Sequence, residues 1–186
     1  MIKALVTFVA LALTSSVFAA EPVKPEAMPG LKIGTKAADF TLKNAAGQDV
    51  TLTSLLQKGP VVLAFVRSAD WCPFCRKQLQ ELQKDLPAIE ATGVQLVTIS
   101  YDPVATNAAA AAKLGLTLPL LSDPGSKIID AYGIRNEDAK GRSAGVPHPV
   151  LFVLDRNGVI RAKLMRETFR DRPESGEIIA AVKSIQ

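Results

Sequence analysis

The chain has 186 residues, with 22 basic and 18 acidic side chains, a formal net charge of +4 and 48% hydrophobic residues. That length suits one domain with a sizeable core, and the small, dispersed positive surplus gives no support to a nucleic-acid-binding role. Two cysteines and one histidine are too few for a four-ligand structural zinc site.

Met1 to Ala20 reads as an export signal: Lys3 supplies the positive end, and Ala4 to Leu13 form an apolar stretch too short to span a bilayer. Small residues allow cleavage after Ala19 or Ala20, which points to a bacterial periplasm or a secreted space. Residues 21–36, with Pro22, Pro25, Pro29, Gly30 and Gly34, read as a flexible leader, and residues 37–186 as the folded domain. No later segment is long and apolar enough to cross a membrane.

Asp39–Leu42 and Asp49–Leu52 predict two short strands around a Gly47 turn, followed by a helical turn at Ser54–Leu56. Val61 to Val66 is continuously apolar, as a strand buried on both faces should be. A helix is predicted from Pro73 to about Ala91, then a strand over Val94–Ser100. Asp102-Pro103 and Asp123-Pro124 each read as a cap plus proline opening a helix, with a short strand at Thr117–Leu121 between them. Gly133 to Pro147 reads as a surface loop. The Asn157-Gly158 turn joins Val150–Leu154 to Val159–Leu164 as a hairpin, and Glu174 to Ile185 closes the chain as a helix. Strands alternating with helices imply an α/β domain around a central sheet.

Both cysteines fall in Trp71-Cys72-Pro73-Phe74-Cys75, where the apolar strand passes through a short turn into the helix. Pro73 suits the first helical position, where its missing N–H is not needed. Cysteines three apart on a first helical turn face the same way, close enough for a disulfide. Cys72, nearest the helix terminus, is expected to be the thiolate and nucleophile, with Cys75 deeper as its resolving partner. Trp71 is expected to cover the cysteines and Phe74 to offer an exposed apolar contact. Asp70 and Arg76 flank the pair with opposing charges, and Arg67 reads as a solvated edge charge. A purely structural disulfide closing so short a loop would stabilise little, and Arg76 stands where a haem-attachment motif would carry histidine.

With these residues the chain resembles the thioredoxin fold, in the branch holding the alkyl hydroperoxide reductase/thiol-specific antioxidant redoxins and TlpA-like periplasmic reductases. Ala38–Leu42, Leu120–Gly125 with Ala131–Gly133, and Pro149 with Phe152–Asp155 and Asn157-Gly158 carry the likeness over most of the mature domain. The resemblance implies a central mixed sheet flanked by helices, with an extra N-terminal β-hairpin. It also implies that Pro149 is a cis-proline facing the cysteines after His148, with backbone groups there pairing an extended substrate. Pro147 is the competing position. Trp71, Pro73, Phe74, His148 and Pro149 are the substrate-binding candidates. Phe65 and Ala69 stand where peroxiredoxins carry their peroxide-orienting proline and Thr or Ser, while Val66 stands where thioredoxin carries its buried acid and Gln78 where the reductases carry a glutamate.

Three functions follow as expectations. The first is an exported thiol–disulfide oxidoreductase exchanging electrons through Cys72 and Cys75 with protein or small-molecule thiols and disulfides, recycled by a redox partner and without a cofactor. The second is a thiol peroxidase in which Cys72 is oxidised and Cys75 resolves it. The third is a copper-delivery module with Cys72, Cys75 and His148 as ligands.

Overall fold

The computed structural model describes residues 22–185. Seven strands form one mixed sheet in the order β2-β1-β5-β4-β3-β6-β7. Thr41–Asn44 (β1) and Asp49–Thr51 (β2) are the N-terminal hairpin; β1 pairs antiparallel with Leu120–Ser122 (β5). Val61–Phe65 (β3), Gln95–Ser100 (β4) and β5 run parallel; Leu151–Leu154 (β6) pairs antiparallel with β3, and Ile160–Leu164 (β7) antiparallel with β6. This is the thioredoxin-like α/β architecture with its extra hairpin.

All five β3 side chains are fully buried, because β3 feeds two cores. Val61, Leu63 and Phe65 point to one face, where they meet Phe152, Leu52 and Leu55 of Leu52–Leu56 (α1), and Ile129 of Lys127–Ala131 (α4). Val62 and Ala64 point to the other, against Pro73–Glu90 (α2) and Ser175–Lys183 (α5). The alternation is the two-residue period of a strand, and both faces are covered. On α2 the buried residues Cys75, Gln78, Leu79, Leu82, Leu86 and Ile89 follow helical spacing. Each fully buried leucine contributes about 1.5–3 kcal/mol, so the stripe fixes both the helix and the cysteines at its start.

Two sequence expectations change. The second Asp-Pro helix starts only at Lys127: Ser126 takes a left-handed turn (φ 60°), and Asp123 reaches past it to accept from the N–H groups of Ile128 and Ile129. The segment expected as a flexible leader is docked over residues 22–37. Val23 N–H donates to Met165 O, Leu31 N–H to Tyr132 O, and Gly34 N–H to Ile160 O. Met28 is buried, and the backbone at Gly30 lies so close to Ile134 and Tyr132 that a Cβ there would sit 2.5 Å from a methyl carbon. The proline and glycine content described the backbone correctly but hid these apolar contacts. The predicted export signal lies outside the described residues.

Candidate active site

Cys72 is the N-cap of α2, with Pro73 at the first helical position as predicted, and its sulfur accepts the Cys75 N–H at 3.3 Å. The cysteines are unbridged, and they form a small cluster with Val66, Trp71 and Phe74. The sulfurs share a hydrogen bond, and this dominates their ionisation. Cys75 is lowered to about 6, chiefly by that shared bond and further by the Arg172 guanidinium, against the effect of burial. Cys72 is raised, chiefly by the same bond and by burial. Within this pair the negative charge is favoured on Cys75. This differs from the expected Cys72 thiolate: the interaction between the two thiols, and after it the half-buried Arg172 guanidinium beside Cys75, favour the charge on Cys75.

Arg172 comes from the irregular stretch between β7 and α5, which carries no motif or period in the sequence. Its Nη2 lies 3.4 Å from Cys75 Sγ, and its Nε donates to Gln78 Oε1 at 2.8 Å. From the same stretch, Phe169 packs edge-on against Phe74 with centroids 6.0 Å apart. Phe74 is therefore half-buried rather than a free contact surface. Arg67 is not a solvated edge charge: its guanidinium lies 5.1 Å from the Trp71 ring and 4.6 Å from that of Phe169. Trp71 donates through Nε1 to the Tyr101 hydroxyl at 3.0 Å, which in turn donates to Arg142 O. With Cys72 1% and Cys75 0% exposed, the dithiol is covered. The one sequence signal for this cover is an aromatic residue among arginines at Arg166, Phe169, Arg170 and Arg172.

The turn before the cysteines is held from across the sheet. Asp102, 4% exposed, accepts from the Ser68 hydroxyl at 3.0 Å, the Ala69 N–H at 2.9 Å and the Ser100 hydroxyl at 3.1 Å. Ser68 Oγ in turn accepts the N–H groups of Asp70 and Trp71. Burial raises the Asp102 carboxyl above its ordinary value while these donors oppose the shift. Asp102 was expected to cap Val104–Leu114 (α3); that helix has no side-chain cap. Arg76 donates to the Asp70 carbonyl rather than balancing charge at Cys72.

The other candidates stand apart from the expected roles. No peptide bond among the described residues is cis, so neither Pro149 nor Pro147 takes the form that the resemblance implied. Continuing the β3–β6 register places Pro149 opposite Val66, at the cysteine end of the sheet. His148 N–H already donates to Ile134 O at 2.7 Å, and its carbonyl accepts from Val150. The backbone expected to pair a visiting chain is thus engaged within the fold, because the segment around Ile134 covers that edge. Burial lowers the half-buried His148 below the usual imidazole value. Among the described residues no group of three His, Cys, Asp or Glu could hold a metal, so Cys72, Cys75 and His148 do not form the copper site considered from sequence.

A thioredoxin-like fold carrying paired cysteines at a helix start defines a thiol-based redox protein. A model of the AhpC/TSA family matches residues 33–163, and the chain belongs to that family of oxidoreductases. It is 35% identical to alkyl hydroperoxide reductase E of Mycobacterium tuberculosis over 139 residues, covering 74% of this chain and 87% of the relative. The crystal structure of peroxidoxin BcpB from Mycobacterium tuberculosis superposes with a TM-score of 0.73 at 26% identity, covering 84% of this chain and 99% of that one. The solution structure of a candidate protein disulfide isomerase from Bacteroides thetaiotaomicron matches with a TM-score of 0.63 at 31% identity, covering 84% and 91%.

Proposed function

We propose that the protein is an exported thiol–disulfide oxidoreductase working through Cys72 and Cys75. The observation that carries this reading is the pair itself: two unbridged cysteines at the start of α2, with the Cys75 N–H donating to Cys72 Sγ and Arg172 Nη2 3.4 Å from Cys75 Sγ. Cys72 passes its proton to Cys75 and attacks one sulfur of a disulfide RS–SR. One RS⁻ leaves and Cys72–S–SR forms. Cys75 then gives its proton to the departed thiolate and attacks Cys72 Sγ, expelling the second RS⁻, which takes a proton from water. Substrate reaches the sulfurs by displacing the Phe169 ring from Phe74. Among the described residues no helix is long and apolar enough to cross a membrane. Met1–Ala20 is proposed as the export signal.

The test is trapping in an export-competent cell. Cys75→Ser should accumulate mixed disulfides on Cys72, and empty traps at normal expression count against the reading. The likeness to alkyl hydroperoxide reductase E supports a second activity, peroxide reduction. There the thiolate attacks the O–O bond of ROOH, giving a sulfenic acid and, after protonation, ROH; the second thiol condenses with it to a disulfide and water. Stopped-flow mixing with a hydroperoxide separates the two. Oxidation no faster than that of free cysteine removes the peroxidase.

A further inference from the structure

Among the described residues, two buried side-chain nitrogens lack a hydrogen-bond partner: Arg67 Nε and Gln78 Nε2. Both are donors only, and they belong to residues on either side of the cysteine motif. Arg67 follows β3 and lies over Trp71 and Phe169. Gln78 lies one turn beyond Cys75, is 2% exposed, and engages Arg172 through its other atom. An unsatisfied buried donor is costly, so two beside one dithiol point to acceptor atoms brought from outside.

Gln78 also lines a cavity of about 210 Å³ between α2 and the segment after β7. Its other walls include the basic residues Lys77, Arg170 and Arg172 and the acidic residues Glu81, Asp171 and Glu174. Arg166, also on the wall, is already paired with Glu177. The Lys77–Glu81 ion pair is long, at 3.7 Å, and solvent-exposed, so it holds its two charges only weakly. Charges of both signs around a buried amide suit a ligand carrying both carboxylate and ammonium groups. The cavity has the volume of about seven waters, room for one amino-acid-sized arm.

Building on the thiol–disulfide reading, we propose that the small-molecule partner of the dithiol is a zwitterionic peptide thiol, met as its disulfide. One carboxylate-bearing arm enters this cavity onto Gln78 Nε2 and Arg170. The net reaction converts the singly protonated Cys72–Cys75 pair and RSSR into the Cys72–Cys75 disulfide and two RSH: two electrons pass to the ligand, one RS group gains the proton of the pair and the other takes a proton from water.

The probe is glutathione disulfide, compared with cystamine (cationic, no carboxylate) and hydroxyethyl disulfide (uncharged). Loss of free thiols is followed by rapid quench and alkylation, and each rate is divided by that of the same disulfide with dithiothreitol. Glutathione disulfide should lead both others by about tenfold, equivalent to about 1.4 kcal/mol, and should saturate. Gln78→Leu and Arg170→Ala should bring the ratio close to one. Equal normalised rates in the unaltered protein, or variants that slow all three disulfides alike, overturn the cavity's role and leave the exchange chemistry standing. Failure of all three disulfides to oxidise the pair overturns both.

Discussion

Asp102-Pro103 and Asp123-Pro124 follow neighbouring parallel strands, and as sequence they are the same signal. Asp123 serves its own helix, accepting the Ile128 and Ile129 N–H groups. Asp102 leaves α3 without a side-chain cap and turns to the loop before Cys72, where Ser68 and Ala69 donate to it. The difference lies in what stands opposite. The end of β3 brings a loop with uncommitted donors within reach of Asp102, and Ser100 and Asn107 extend the buried network on to Ser122. A carboxylate at a helix start goes to the nearest buried donors, wherever in the chain they come from.

Substitutions sharpen this contrast. Asp102→Ala leaves the Ser68 hydroxyl and the Ala69 N–H without their acceptor and should cost about 2–4 kcal/mol in urea unfolding. It should also change the thiol ionisation. Arg172→Gln should raise the lower thiol value from about 6 by about one unit, equivalent to about 1.4 kcal/mol. The sign follows from the acid: a depressed thiol is already thiolate above pH 6, so alkylation by iodoacetamide should plateau early. In the variant the plateau should move to higher pH. Asp123→Ala should cost about 1 kcal/mol, as loss of a helix cap does, and leave the alkylation profile unchanged. If the profile moves as far as in Asp102→Ala, the two aspartates do not have separate roles. Smallest is Lys43→Ala in the exposed Lys43–Asp49 pair, expected to stay within about 0.5 kcal/mol.

Much of the fold was legible because it depends on periodicity and punctuation. The unbroken apolar run of β3, the Pro73 helix start and the Asn157-Gly158 hairpin all stand where the sequence puts them. The site was legible only at its cysteines. Arg172 and Phe169 lie in an irregular stretch without period or cap, and nothing local says that it crosses α2; that follows from where β7 ends and α5 docks. The Cys72 thiolate was expected because a helix terminus can be read from sequence, whereas a guanidinium 97 positions away cannot. Gln78 departs from the glutamate of the reductases, and it is the residue that Arg172 holds.

The close approach at Gly30 makes it a lever. Its φ of 92° and the 2.6 Å that would separate a Cβ from the Tyr132 carbonyl oxygen leave no room for even one methyl. Gly30→Ala would act as a wedge, prising the proximal chain from the body of the protein while leaving the sulfurs unaltered. Protease sensitivity confined to residues 22–36, with thiol chemistry intact, would show that this arm and the redox end can be uncoupled by a single carbon.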